Sequence, residues 1–210
     1  MSANLKLQEL LAHPAPGFLC KGAGDAREKK FLAKITHKVS EPASASALSK
    51  LAQMIPIGSE QLLAFYKSHD GLVLYKDTIG DAEGVELFSV AGMDGGTNEL
   101  RQWLDPLEEE DDNNKLKSAI AIGQVPHSGN YFAMPVEGPG VGKVFYVDHD
   151  DWREEPFAET FDELVDQIAS SPAKLLSEVL GCYARYSDGK TNIQWIPGEF
   201  ISDVSKTVVA

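Results

Sequence analysis

The sequence is poor in cysteine and in long apolar runs. Its two cysteines, Cys20 and Cys182, lie far apart and form neither a CxxC motif nor a metal-ligand spacing, so we expect reduced, structural thiols. No run approaches the roughly 18 apolar residues that a membrane-spanning helix needs. Met1–His13 lacks the basic start and apolar stretch of a secretion signal. We expect a cytoplasmic protein with no membrane partner.

Basic residues are heavily outnumbered in this chain. It has 19 Lys and Arg residues against 32 Asp and Glu residues, which gives a formal net charge of −13. A phosphate backbone would be repelled, so nucleic acid is not an expected partner. A cationic protein would be attracted, because long-range attraction speeds encounter. The alternative, that the charge serves solubility alone, stays open.

Motifs for phosphate binding and nucleophilic catalysis are missing. GPGVGK at Gly138–Lys143 has three residues between its glycines where a phosphate-binding loop has four, and Val144 stands in place of the Ser or Thr. A strand also follows where such a loop requires a helix, so we interpret the segment as a hairpin connection. No GxSxG motif is present. We therefore expect no enzymatic activity and no cofactor.

One acidic segment could bind a metal ion. Asp148-His149-Asp150-Asp151 offers carboxylate and imidazole ligands, and His127 could approach from a neighbouring loop. No second fixed pair such as HxxxH accompanies them, and a solvated strand end explains the same residues. We expect no metal site. A hydrolase that uses His127, His149 and nearby acids remains the alternative from the enzyme class.

Three strands in succession form the centre of the expected core. Alternating apolar residues place them at Ala119–Val125, Asn130–Val136 and Lys143–His149, joined by turns rich in Gly and Pro. This spacing predicts an antiparallel meander. Ile120 and Ile122 are expected to share a face. Phe132, Met134 and Val136 are expected to share a core face, and so are Phe145 and Val147. The opposite faces of these strands carry Ala121, Tyr131, Ala133, Val144 and Tyr146 and are expected to be partly covered by helices.

Helical spacing precedes and follows this meander. The N-terminal half predicts a short helix at Leu5–Leu11, a helix at Ser44–Met54, and a third that begins at Ser59 and ends before Gly71 in the left-handed conformation. His69 is expected to pack on the apolar side of the third helix. Phe31–Val39 fits a strand better than a helix. Short strands are predicted at Leu72–Tyr75 and Val85–Phe88.

The remaining segments complete the secondary-structure prediction. Thr97 is expected to cap a helix at Asn98–Leu104 that stops near Pro106, before an acidic loop. Thr160 and Glu163 form a capping box for a helix whose apolar stripe is Phe161, Leu164, Val165 and Ile168. The tail predicts a helix at Ala173–Leu180 and a hairpin closed by Asp188-Gly189. We thus expect an extension (1–45), a core domain (46–172) and a C-terminal helix and hairpin (173–210).

The order of these motifs resembles the SUKH superfamily. The succession is Asp70-Gly71, Glu86-Leu87-Phe88, AIAIGQ, GNYFAMPV, GKVFYVDHD and TFDELVDQI. The superfamily includes a fungal regulator of cell-wall assembly and glucan synthesis and many bacterial immunity proteins. The resemblance implies an α+β fold with a mainly antiparallel sheet backed by helices. It also implies a role in binding proteins, either as an immunity protein that neutralises a cationic toxin domain or as a scaffold in cell-wall synthesis.

The expected binding residues are acids and one tryptophan. They are Glu108, Glu109, Glu110, Asp111, Asp112, Asp148, Asp150, Asp151 and Trp152. The acids would steer a cationic partner, and Trp152 would anchor it, because interfaces favour aromatic residues within a charged rim. Plain solvation of the acids and a place for Trp152 as a lid on the sheet are the alternatives.

Overall fold

The computed structural model describes residues 5–12, 17–21, 30–77, 84–108, 116–126, 128–148 and 155–170. The predicted helix at Ala173–Leu180 and the hairpin after it lie outside the described residues, as does His127. The elements in chain order are α1 (Leu5–Ala12), β1 (Gly17–Lys21), β2 (Lys30–Val39), α2 (Ala45–Met54), α3 (Glu60–Tyr66), β3 (Leu72–Asp77), β4 (Val85–Leu87), α4 (Met93–Glu108), β5 (Ala119–Val125), β6 (Asn130–Pro135), β7 (Phe145–Val147) and α5 (Phe161–Ser170).

The chain divides into two compact units. The first contains Met1–Lys38, Val73–Val85 and Asp166–Ala210, and the second contains Val39–Leu72 and Glu86–Val165. The division into residues 1–45, 46–172 and 173–210 stays a prediction. No helix in the described ranges has both the length and the apolar character that a bilayer span requires.

The second unit is built on an antiparallel meander, as predicted. Strands β4, β5, β6 and β7 pair in that order, and each runs antiparallel to its neighbour. The connection between β6 and β7 contains Gly138, Gly140 and Gly142 at positive φ, which confirms the hairpin interpretation of GPGVGK. Antiparallel pairing together with helices confirms the α+β class.

A bulge in β5 changes which residues share a face. Ala121 pairs with Ala133, but Gly123 pairs with Phe132, so the residue opposite Phe132 is Gly123 and not Ile122. A Cβ on Gly123 would lie 2.4 Å from the carbonyl oxygen of Glu86, which requires glycine there. The expected alternation of Ile120 and Ile122 is therefore interrupted.

Both faces of this meander are buried. Every residue of β6 and β7 is buried. On one face Phe132 pairs with Tyr146, and both rings pack against Phe157 with centroid distances of 5.5 and 6.0 Å. The register also pairs Ala133 with Phe145 and Tyr131 with Val147, so Phe145 and Val147 lie on the face opposite Phe132. Cover on both faces agrees with the apolar residues that the sequence places at successive positions.

Helix α4 covers the other face and is longer than the sequence predicts. It begins at Met93 and continues through Pro106 to Glu108, so the predicted cap at Thr97 and the loop at Glu108 are both wrong. Thr97 is only 5% exposed, and its Oγ1 accepts a hydrogen bond from the backbone N–H of Ala121 at 3.1 Å. Burial of Met93, Leu100 and Leu104 stabilises the helix despite the low helix propensity of Gly95 and Gly96.

Helices α2 and α3 agree with the sequence in position but differ in their ends. Ser44 caps α2, since its Oγ accepts from the N–H of Ala47 at 3.2 Å. Ser59 does not cap α3 through its side chain, because it has helical backbone angles. Helix α3 ends at Tyr66, and His69 lies in the turn that follows, where its ring packs 5.7 Å from that of Phe65.

The turn after α3 fixes strand β4. Gly71 has φ +88°, which confirms the predicted left-handed position, although it lies beyond the helix end. A Cβ on Gly71 would lie 2.7 Å from the carbonyl oxygen of Leu87. Asp70 Oδ1 accepts from the N–H of Val90 at 2.8 Å. Tyr66 OH donates to the carbonyl oxygen of Phe88 at 2.5 Å. The end of β4 is therefore held by one helix and its turn.

Helix α5 begins as predicted. The N–H of Glu163 donates to Thr160 Oγ1 at 3.2 Å, and Glu163 Oε2 accepts from the N–H of Glu159 at 2.9 Å. The expected apolar stripe is buried at Phe161, Leu164, Val165 and Ile168. The ring of Phe161 lies 5.3 Å from that of Phe65, so the start of the helix packs on α3.

In the first unit, the ambiguous segment at Phe31–Val39 forms strand β2, as favoured. It pairs antiparallel with β1, from Gly17 opposite Lys34 to Lys21 opposite Lys30. Strand β1 was not predicted, because it follows a Pro- and Gly-rich cluster and has little alternation. Leu7 of α1 is fully buried.

Candidate protein-binding surface

Only two of the predicted binding residues lie in the part of the chain that the structure describes. Glu108 is the last residue of α4, and Asp148 directly follows β7 and is half-buried. Glu109, Glu110, Asp111, Asp112, Asp150, Asp151 and Trp152 lie outside the described residues. The structure therefore gives the setting of these segments, which are the end of α4 and the end of β7.

Asp148 lies at one end of the meander, which we call the β5–β6 turn end. It comprises Ser128 and Gly129 before β6, the first residues of β6, Glu86 of β4 and Asp148. Tyr131 of β6 is paired with Val147 of β7, so Asp148 is next to the start of β6. Ser128 Oγ accepts from the N–H of Asn130 at 3.0 Å and donates to the carbonyl oxygen of Val125 at 2.6 Å, which fixes the turn.

A row of polar side chains crosses three strands at this end. Glu86 is paired with Gln124, and Gln124 with Tyr131, so all three lie on one face of the sheet. Gln124 Nε2 donates to Glu86 Oε2 at 2.6 Å. Tyr131 OH donates to Oε2 of Glu99, which extends from α4, at 2.7 Å. The row joins α4 to the sheet. It also brings two carboxylates, those of Glu86 and Glu99, to this face of the sheet.

The electrostatics keep Tyr131 in its neutral form. Burial, followed by the hydrogen bond to Glu99 and the charge of that carboxylate, raises the pKa of Tyr131 to about 12. The hydroxyl is therefore protonated at neutral pH and donates to Glu99. This hydrogen bond orients the exposed Glu99 side chain, with Oε2 directed at Tyr131.

The opposite face at this end is also polar at its margin. Asn130 is 5% exposed, and its Nδ2 donates to Tyr146 OH at 2.6 Å. Behind this pair lies the aromatic cluster of Phe132, Tyr146 and Phe157. The turn end thus has a polar and acidic exterior over an aromatic interior. Such a surface can attract and hydrogen-bond a cationic protein.

Comparison with protein-family models identified the family of this chain. Residues 42–167 match the SMI1 / KNR4 family (SUKH-1), which is more than half of the 210 residues. The chain belongs to the SMI1 / KNR4 family. A search of curated proteins gave no match. The match includes the meander, α4 and the turn end, so the surface described above lies within the SUKH-1 part of the chain.

Most polar residues of the β5–β6 turn end were not predicted from the sequence. Glu86, Glu99, Gln124 and Tyr131 were not singled out, because their proximity depends on the register across the β5 bulge and on where α4 lies. The one available signal was the acid in the short strand Val85–Leu87. Among the described residues, no three His, Cys, Asp or Glu side chains are grouped so as to hold a metal ion.

Proposed function

We propose that this SUKH-1 chain is a non-enzymatic protein-binding domain that acts as an immunity protein by binding a toxin directly. The observation that carries the proposal is family membership over residues 42–167, combined with a net charge of −13. The SUKH superfamily contains many immunity proteins, and the sequence resemblance implies such a role for this chain. An acidic binder suits a toxin that itself binds an anionic substrate.

The proposed mechanism is occlusion. Carboxylates at the β5–β6 turn end, together with those predicted at Glu108–Asp112 and Asp148–Asp151, would occupy the cationic site that a toxin uses for its substrate. Glu86 and Glu99 are already oriented by Gln124 and Tyr131, so little side-chain entropy is lost when a cation binds them. Long-range attraction would raise the association rate, and contacts in the interface would set the residence time.

The bonding of the turn end supports a binding role over a catalytic one. A raised pKa keeps Tyr131 from acting as a base near neutral pH, and its hydroxyl proton is directed at Glu99. Glu86 is engaged by Gln124 and Asn130 by Tyr146. These polar groups hold the surface in shape, which is what recognition requires.

Partner capture followed by a rescue assay tests the proposal. The intact chain is purified from its native cell by affinity, and bound proteins are identified by mass spectrometry. We expect a basic toxin domain, a 1:1 complex by light scattering, and growth rescue when chain and toxin are co-expressed. Gly71→Val, which is expected to destabilise the fold and shift β4, is the negative control.

Two results would replace this proposal with an alternative. A captured protein of cell-wall or glucan synthesis, with no toxin bound, would favour the regulatory role. Substrate turnover by the purified chain that His127→Ala abolishes would favour a hydrolase.

A further inference from the structure

One loop of the second unit presents an apolar side chain to solvent. Ile57, in the connection between α2 and α3, is 61% exposed, and the flanking Pro56 and Gly58 are also exposed. Among the described residues the only other large hydrophobic side chain so exposed is Leu5, at 62%. Single exposed apolar residues are ordinary, so the setting of Ile57 decides its meaning.

The loop that carries Ile57 is held at both ends. Ile55 is fully buried, and its N–H donates to the carbonyl oxygen of Leu51 at 2.9 Å. Ser59 is 8% exposed, and its carbonyl oxygen accepts from the N–H of Leu63 at 2.7 Å. Pro56 adds a fixed φ between these points. Ile57 is therefore presented by a short constrained loop, which lowers the entropic cost of binding through it.

A second loop packs against the first. Gly58 has φ +73° and Gly142 has φ +82°, and a Cβ on Gly58 would lie 3.1 Å from the Cα of Gly142. The second loop is fixed by Ser118, whose Oγ accepts from the N–H of Glu137 at 3.1 Å and donates to its carbonyl oxygen at 3.0 Å. This loop exposes Pro139 and half-exposes Val141.

We call these two loops, Pro56–Gly58 and Pro139–Gly142, the Ile57 surface. It lies at the end of the meander where β6 ends and β7 begins, opposite the β5–β6 turn end. The charged residues next to it in the chain are Glu60 and Glu137, which are exposed, and Lys143, whose Nζ is 2.7 Å from Glu159 Oε2. The rim therefore has two exposed acids and one base, and the base is paired with Glu159.

The negative charge of this rim favours a basic partner over a second copy of the chain. A second copy of the chain would bring the same acidic rim against itself, because a two-fold interface joins identical patches. With a net charge of −13 on each copy, such contact is opposed by repulsion. A partner segment with an apolar side chain flanked by Lys or Arg matches both the apolar centre and the acidic rim.

We propose that the Ile57 surface is a docking site for a basic protein segment, which packs an apolar side chain against Ile57. The proposal rests on the protein-binding function and adds a second contact area to it, at the other end of the meander from the β5–β6 turn end. Ile57 is the anchor, the two glycine loops permit close approach of the partner's backbone, and Glu60 and Glu137 pair with cationic groups at the margin.

The test uses a phage-displayed library of random peptides and four forms of the intact chain. These are the wild type, Ile57→Ser, the matched control Leu5→Ser, and the double variant Glu60→Gln with Glu137→Gln. Peptides selected on the wild type should contain an apolar residue flanked by Lys or Arg. Ile57→Ser should weaken their binding about tenfold or more, while Leu5→Ser leaves the dissociation constant unchanged.

The charge variant and the stability control complete the design. The double glutamine variant should reduce the dependence of binding on salt, because exposed charges are screened over about 8 to 10 Å at physiological ionic strength. Thermal unfolding of Ile57→Ser should match that of the wild type, since its side chain is mostly in solvent. Any loss of binding is then due to the surface and not to unfolding.

The outcomes that overturn the proposal are distinct. Selection that yields no peptide dependent on Ile57, or peptides rich in acids, would exclude this docking site. A concentration-dependent dimer in ultracentrifugation that Ile57→Ser abolishes would assign the surface to a second copy. Toxin rescue that persists undiminished in Ile57→Ser would also reject the docking site while leaving the immunity function intact. Loss of toxin rescue in Ile57→Ser alone, with Leu5→Ser active, would support both.

Discussion

Tyr75 donates its backbone N–H to Nδ1 of His37 at 3.1 Å, although Tyr75 itself lies in the left-handed region with φ +60°. This conformation is rare for an aromatic residue and costs about 1 to 2 kcal/mol. Two contacts offset that cost: the rings of His37 and Tyr75 form an edge-to-face pair at 5.1 Å, and Tyr75 OH donates to the carbonyl oxygen of Ile168 at 2.5 Å. His37 Nε2 is buried and has no hydrogen-bond partner among the described residues.

Stability should fall when His37 is protonated. Burial lowers the pKa of His37 below its usual 6.5, so the unfolded chain takes up the proton first as pH falls. The contribution is therefore complete above about pH 6.5 and is lost as pH falls below that value. A proton on Nδ1 also removes the acceptor for the Tyr75 N–H. Urea unfolding midpoints at about pH 7.5 and pH 5.5 measure the loss.

The matched variant for this prediction is another histidine of the same chain. His37→Gln should reduce the pH dependence of the unfolding midpoint in this range, whereas His69→Gln, in the turn after α3, should retain it. Equal pH dependence in the wild type and His37→Gln would contradict the assignment to His37.

Gly71 and Gly138 separate backbone strain from steric conflict. Both have positive φ, but a Cβ on Gly71 would lie 2.7 Å from the Leu87 carbonyl oxygen, while a Cβ on Gly138 meets nothing within 4 Å. Gly138→Ala should cost about 1 kcal/mol through strain alone. Gly71→Ala should cost more, and Gly71→Val about 2 kcal/mol or more, because β4 must also shift. Chemical denaturation measures both, and equal costs for the two alanine variants would refute the close approach at Gly71.

Thr97 is expected to contribute through its hydroxyl group. Thr97→Val preserves shape but leaves the buried N–H of Ala121 without the acceptor that it has at 3.1 Å, which should cost about 1 to 3 kcal/mol. Thr97→Ser keeps the hydroxyl and should cost less than Thr97→Val. The amide of Ala121 should also exchange faster in Thr97→Val, as measured by hydrogen exchange. Unchanged exchange at Ala121 would show that another group satisfies it.

Neutralising the acidic run should slow association with the captured partner. When Glu108, Glu109, Glu110, Asp111 and Asp112 are replaced together by amides, the association rate should fall and the dissociation rate should change little, because exposed charges act at long range. Added salt should reproduce the effect in the wild type. Surface plasmon resonance measures both rates. An association rate that is insensitive to salt and to the replacement would identify the run as a solvated segment.

Trp152 should affect the dissociation rate and not the association rate. If it anchors the partner, Trp152→Ala should raise the dissociation rate by an amount worth about 2 kcal/mol or more, with little change in association. The same resonance experiment measures it, and a thermal melt of the free variant checks its fold. A lowered melting temperature with unchanged dissociation would place Trp152 in the fold instead.

The sequence was most informative where local pattern and local structure coincide. The three meander strands and the start of α5 follow from alternation, glycine turns and the Thr160 cap, all of which act within a few residues. It was least informative for α4. There Gly95 and Gly96 weaken the helical signal of the sequence. Packing of the helix against the second unit, with Gly96 close to Phe88 and Thr97 bonded to Ala121, favours a helix longer than the predicted one.

The candidate surface was predictable only in its charge. Acids were visible as a run, but the pairing of Glu86 with Gln124 depends on the β5 bulge, and that of Glu99 with Tyr131 depends on where α4 packs. Neither relation is encoded within one element. The left-handed Gly71 was predictable, but its contact with Leu87 was not, because contacts across a fold depend on register.

The attachment of β4 has a consequence for the order of folding. This three-residue strand is held by Tyr66 and Asp70 on one side and by the Phe88 N–H bond to the carbonyl oxygen of Ile122 on the other. All of α4 lies between Phe88 and Ile122, whereas β5 and β6 are joined by a short turn. Closing the longer loop costs more entropy, so we expect the β5–β6 hairpin to form early and β4 to dock late. Protection of the Phe88 amide would then mark the last step towards the native state.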